Sequence, residues 1–230
     1  MRRSRVDYSG FRLSRINEPR FSHLKLLLGW VVYFALYFLT ENLIPAERCH
    51  LVHIRLDELI PFCEFFVIPY VFWYLLVFGS LLYYLLYDVD SFKKLQIFIM
   101  ITQATAMLVY ILWPNRQDLR PEVFPRENLF TWVISLIYAF DTPTGVCPSL
   151  HVAYSLGIAS VWLKDKSAPA YWKIFIVSAV ITICMATVFI KQHSVLDFFA
   201  ALPVALLAEG IVFGKTYWRR KREKHRNAVF

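Results

Sequence analysis

Apolar residues along this chain fall into blocks of helical length, separated by short polar breaks. Blocks at 24–40, 65–87, 95–113, 148–162, 171–190 and 195–213 each predict a membrane-spanning helix. A further apolar block, 129–140, is too short to cross about 30 Å of hydrocarbon and predicts an interfacial helix before the fourth span. Asp88, Asp90, Lys93 and Lys94 mark a tight polar turn, and Asp141-Thr142-Pro143-Thr144-Gly145 is a helix-breaking cluster. The two longest polar connections are 41–64 and 114–128. The expected fold class is all-α and integral to the membrane, with six transmembrane helices and one interfacial helix.

Composition supports that class. Hydrophobic residues make up 58% of the 230-residue chain and charged residues 18%, which is not the balance of a soluble domain. The chain divides into a basic segment at 1–23, a six-span domain at 24–214 and a basic tail at 215–230. The first apolar block is too long for a signal-peptide core and no A-x-A-like site follows it, so it is read as an uncleaved span.

A net charge of +8 would suggest nucleic acid in a soluble protein. Here the excess lies in the two tails, so the expected partner is the anionic membrane surface and not a nucleic acid. Six spans put both termini on one side. That side carries nineteen of the 25 Lys and Arg residues, and the other carries Arg48, Arg55, Arg116, Arg120, Arg126 and Lys191. The bias predicts a multi-pass protein with cytoplasmic termini. Trp30, Trp73, Trp113, Trp162, Trp172 and Trp218 fall near predicted span ends, where an aromatic belt would place them.

The four cysteines, Cys49, Cys63, Cys147 and Cys184, show no CxxC or Cys/His zinc spacing. Cys49 and Cys63 share one extramembrane loop, where either a disulfide or two free thiols would fit. His50 and His53 are spaced for a shared ligand but have no evident third partner.

The chemistry gathers on the side opposite the termini. His193 and Asp197 stand four apart at the start of the sixth span, a spacing that shares one helix face. A carboxylate there can fix the tautomer of an imidazole and stabilise its cation, as a nucleophilic or general-base histidine requires. Cys147-Pro148-Ser149-Leu150-His151 opens the fourth span, with Pro148 suited to the first helical position. Its exposed N–H groups and positive dipole end favour an anion, and Ser149 adds a hydroxyl. Arg120-Pro121, in the loop on the same side, supplies a guanidinium suited to phosphate oxygens.

These motifs resemble those of the type-2 phosphatidic acid phosphatase (PAP2) superfamily, KxxxxxxRP, PSGH and SRxxxxxHxxxD. They stand here as Arg120-Pro121, Pro148-Ser149-Leu150-His151, and His193 with Asp197, over roughly 113–205. Leu150 in the glycine position is similar to the inositolphosphotransferase-like branch, which includes inositol phosphorylceramide synthases and is akin to sphingomyelin synthases. The resemblance implies a six-helix fold and an extracytoplasmic or luminal site working on a lipid phosphate or phospholipid without metal or other cofactor. It implies that His193 attacks phosphorus to give a phosphohistidine, oriented by Asp197. His151 would protonate the leaving oxygen and then activate water or an alcohol, while Arg120 and Ser149 hold the phosphoryl oxygens. The chain departs from the pattern at Trp113, in the first-motif lysine position, and at Ala186 and Thr187, in the Ser-Arg positions. Arg116 and Lys191 are the candidate substitutes for the missing cations.

The expected function is therefore a membrane lipid phosphatase. Transfer of a phospho-head-group to an alcohol by the same residues is the alternative, and a small transporter is the alternative from another class. His151, His193 and Asp197 also form the set of a 2-His-1-carboxylate metal site, but that reading leaves the Pro-Ser prelude unexplained.

Overall fold

The computed structural model describes residues 4–227, with side chains as far as residue 214. Eight α-helices carry the fold: α1 (Leu28–Leu43), α2 (Arg55–Leu59), α3 (Val67–Tyr87), α4 (Val89–Leu112), α5 (Leu129–Phe140), α6 (Leu150–Lys164), α7 (Ala170–Phe189) and α8 (Val195–Asn227). Among the described residues, five helical segments are long and apolar enough to cross a membrane: Ser22–Leu43, Glu64–Tyr87, Val89–Leu112, Ala170–Phe189 and Val195–Gly214. The protein is thus all-α and membrane-like, with large apolar side chains such as Val31, Phe38, Phe78 and Leu206 exposed on its outer surface.

α6 is the exception in length. Its 15 residues rise about 22 Å, short of a full hydrocarbon crossing. It is also the most enclosed helix, packed against α3, α4, α7 and α8. Gly157 lets α4 approach closely: a Cβ there would lie 2.5 Å from Cδ1 of the buried Phe98. By contrast α1 has no buried residue and rests mainly on α4. Gln96 of α4 anchors it, accepting from Trp30 Nε1 (3.1 Å) and donating to the Leu26 carbonyl (3.2 Å).

Several boundaries differ from the sequence expectation. α4 starts at Val89 and not near residue 95, because Asp88 caps it by accepting from the Ser91 amide. Asp90, Lys93 and Lys94 then sit within its opening turns, while Phe92, Leu95, Gln96 and Ile99 form the buried stripe. α8 runs on to Asn227; the side chains of the basic tail lie outside the described residues. Trp73 and Trp162 are buried among helices, so they are not interface anchors.

The loops collect at two ends. At one, the N-terminal segment meets the end of α3, with Val6 N–H donating to the Leu86 carbonyl and Tyr8 Oη to that of Leu85. At the other, β1 (His50–Leu51) pairs in parallel with β2 (Asn115–Arg116), a two-stranded tie between the connections at 41–64 and 114–128. The loop before α6 joins this end, since Arg116 also bridges to Thr144.

Candidate active site

The second end carries the chemistry, and hydrogen-bonded helix starts build it. Ser194 is the cap of α8: its Oγ accepts from the Leu196 amide (3.1 Å), and Asp197 Oδ2 accepts from the Ser194 amide (3.0 Å). This reciprocal Ser-x-x-Asp arrangement is a variant of the capping box in which the cap hydroxyl serves the second helical amide and not the third. It places His193 one residue outside the helix, so the His193–Asp197 pair is made across a cap and not along a helix face. Buried Asp57, from α2, completes the cap by accepting from Ser194 Oγ (2.7 Å) and the Val195 amide (2.8 Å).

α6 is hooked to the same point. Ser149 is its cap, accepting from the Val152 amide at 3.5 Å, and the Ser149 amide donates to the Asp197 carbonyl (3.1 Å). Pro148 therefore precedes the cap and is not the first helical residue. Ser149 is fully buried and its hydroxyl works as a cap. Asn115 clamps the loop ahead of it: Oδ1 accepts from the amides of Val146 (2.9 Å) and Cys147 (2.8 Å), and Nδ2 donates to the Cys147 carbonyl (2.9 Å). Gly145 supplies the left-handed turn (φ 59°) in that loop, and Tyr110 Oη donates to the Pro148 carbonyl (2.7 Å).

The result is a series of three groups. Asp197 Oδ2 lies 3.1 Å from His193 Nδ1, and His193 Nε2 lies 3.3 Å from His151 Nδ1. With Nδ1 donating to the Asp197 carboxylate, His193 keeps a lone pair on Nε2. His151 sits against Trp73 (ring centroids 4.2 Å apart) and Tyr70 (4.7 Å), and its Nε2 is buried without a hydrogen-bond partner. Among the described residues no three His, Cys, Asp or Glu side chains converge on one point as a metal site needs. His50 instead stacks on Trp113 and His53 bonds to Asp118.

The cations divide. Arg120 stays close, donating to Gln192 Oε1 (2.7 Å) and to the Tyr138 carbonyl (3.1 Å), with its guanidinium over the Tyr138 ring. Burial lowers its pKa from the ordinary arginine range, and Asp141 partly offsets that. Lys191 is committed elsewhere. Its Nζ donates to the Asp57 carbonyl (2.8 Å) and to that of Ile60, and its backbone is left-handed (φ 57°) as α7 ends. Arg116 is held by its backbone in β2; none of the three cations lines the cavity described next, and Arg120 alone bonds through its side chain to a residue that does, Gln192. Neither Arg116 nor Lys191 replaces the missing motif cations in this arrangement.

His193 and His151 stand at one end of a cavity of about 860 Å³. It runs between α1, α3 and α5 to Leu27, Leu85 and Phe92 at the far end of the bundle, and most of its wall is apolar or aromatic. Its polar end holds Tyr37, Asp141, Thr142 and Gln192 beside the histidines. Gln192 bridges Arg120 to Asp141, donating from Nε2 to Asp141 Oδ2 (3.2 Å) and to Tyr70 Oη (3.3 Å). Tyr37 Oη donates to Asp141 Oδ1 (3.0 Å). Burial raises the Asp141 pKa, against the lowering effects of the Tyr37 hydrogen bond, His193 and Arg120.

Cys49, Cys63, Cys147 and Cys184 are all free thiols. Cys147 is close to Asp197, but burial and that carboxylate push its pKa up to about 12, which removes it as a nucleophile at neutral pH. Asp57, Asn115, Asp141 and Gln192 were not singled out by the sequence. The Ser194-x-x-Asp197 box and the position of Gln192 beside His193 are local signals; Asp57 has none, because its role appears only when α2 meets α8. In comparisons with family models, curated proteins and solved structures, nothing matches this chain.

Proposed function

We propose that this protein is a membrane enzyme that cleaves a lipid phosphate ester through a phosphohistidine on His193, as its PAP2-like motifs imply. The observation that carries the reading is the series Asp197–His193–His151 at the polar end of a long apolar cavity. Such a cavity suits a hydrocarbon chain, and the series suits nucleophilic attack. In this reading α6 is a sixth, enclosed crossing, the termini are cytoplasmic, and the site faces the extracytoplasmic or luminal side.

The steps follow from the positions of the ring nitrogens. The His193 Nε2 lone pair forms the N–P bond while the P–O bond to the leaving alcohol breaks. His151, as imidazolium, gives its Nδ1 proton to that leaving oxygen. Water then attacks phosphorus as His151 Nδ1 takes its proton, and the N–P electron pair returns to His193. Arg120 stabilises charge developing on the phosphoryl oxygens. The apolar cavity wall favours a second outcome, in which a lipid alcohol replaces water and accepts the group.

The test is turnover of lipid phosphates and phosphodiesters by purified protein, reading free phosphate and lipid products together. Metal-independent turnover that His193→Ala abolishes supports the reading. Turnover that survives His193→Ala, or that EDTA removes, overturns it.

A further inference from the structure

Asp141 has no part in the steps above, yet it lines the cavity beside His193. Its carboxylate is held by two donors from different directions, Tyr37 Oη on Oδ1 and Gln192 Nε2 on Oδ2. Gln192 is itself fixed at its other end, where Oε1 accepts from Arg120. The amide thus separates an acidic point from a basic point within one polar end of an otherwise apolar space.

The charge pattern constrains the ligand. A terminal phosphomonoester carries close to two negative charges at neutral pH. None of the three candidate cations lines this end; Arg120 alone is tied to it, through its bond to Gln192, whereas Lys191 is bound to the carbonyls of Asp57 and Ile60. A second carboxylate opposes a dianion further. A phosphodiester carries a single charge and brings a head group, whose hydroxyl or ammonium N–H can donate to the acid. Three buried atoms of the site lacking partners, Arg120 Nε, His151 Nε2 and Asp197 Oδ1, show that its polar network is incomplete as it stands.

We propose that Asp141 is a specificity-determining residue that accepts a hydrogen bond from the head group of a lipid phosphodiester whose phosphorus lies at His193. This rests on the phosphohistidine reading and narrows its substrate class. The raised pKa of Asp141 is consistent, because a buried carboxylate with incompletely balanced charge is what a donor from the substrate would relieve. Tyr37 is its positioning residue, since it touches the carboxylate and fixes the orientation of the remaining lone pairs.

The experiment compares kcat/KM for phosphatidylglycerol, phosphatidylcholine and phosphatidic acid, in mixed micelles without added metal. The first is a diester with head-group donors, the second a diester with charge but no donor, and the third a monoester. The wild type is expected to favour phosphatidylglycerol over both by about tenfold or more, the scale of a hydrogen bond to a charged group. Asp141→Asn should lower both preferences by about tenfold, and Tyr37→Phe by a smaller factor in the same direction. Equal losses on all three lipids in folded Asp141→Asn protein would make the residue mere support for Gln192 and overturn the assignment. If Asp141→Asn does not fold, unchanged preferences in Tyr37→Phe overturn it instead. A wild-type preference for phosphatidylcholine over phosphatidylglycerol, or for the monoester, also overturns it while leaving the phosphohistidine reading intact. Absence of turnover on every lipid overturns both.

Discussion

His193 and His151 come from different helix starts, 42 positions apart, yet Nε2 of the first lies 3.3 Å from Nδ1 of the second. In the proposed reaction this contact occupies the lone pair that attacks phosphorus, so the phosphoryl group would have to come between the rings. The leaving or attacking oxygen then meets the same nitrogen of His151.

The three candidate phosphate-binding cations should separate under substitution. Arg120→Ala is expected to lower kcat/KM by about a hundredfold, the scale for losing one donor to a developing charge. Lys191→Met should instead lower thermal stability, because it frees the buried carbonyls of Asp57 and Ile60. Arg116→Ala should change kcat/KM by less than about threefold, as Arg116 lies off the cavity and, unlike Arg120, is not bonded to Gln192 beside the histidines. Steady-state kinetics beside thermal unfolding in detergent reads all three, and a larger kinetic loss at Arg116 than at Arg120 would refute this division.

Asn115 holds the loop ahead of α6 with donors and acceptors that aspartate cannot reproduce. Asn115→Asp replaces the Nδ2 donor with an acceptor facing the Cys147 carbonyl. A loss of about 1–3 kcal/mol is expected, with turnover falling as Ser149 and His151 lose their register. Unfolding of the variant at the wild-type temperature would show that the clamp is not needed.

Gly157 tests the packing that brings α6 into the bundle. Alanine normally improves a helix by about 1 kcal/mol over glycine. Here its Cβ meets the Phe98 ring at 2.5 Å, and overpacking of this kind costs about 1–3 kcal/mol. Gly157→Ala should therefore be destabilising, and adding Phe98→Leu should recover part of the loss. A stabilised single variant would contradict the close approach of α4 and α6.

What could be read from the sequence follows from how local each signal is. α5 is Leu129–Phe140, the span of its apolar block, because Asn128 caps one end through its own side chain and Asp141 breaks the other. α4 was misplaced at its start because charges in a first turn look like a loop until the cap on Asp88 is seen. The His193–Asp197 spacing pointed to the pair, although a capping box and not a shared helix face makes it. The contacts of Asp57, Asn115 and Asp141 are not legible in the sequence because each acts on residues 31 to 138 positions away, and such partners leave no periodic trace. Lys191 misled for the opposite reason. Adjacency to the histidine suggested a phosphate ligand, whereas the left-handed end of α7 turns its side chain toward the α2 loop.

Trapping reads covalent chemistry at His193 directly. Protein mixed with a turned-over lipid phosphate and quenched in base should carry an acid-labile phosphoryl or phospho-head-group adduct on the peptide containing His193. Asp197→Asn should reduce its rate of formation, and His193→Ala should abolish it. Turnover with no adduct at any time, or with the adduct on another residue, would contradict the account.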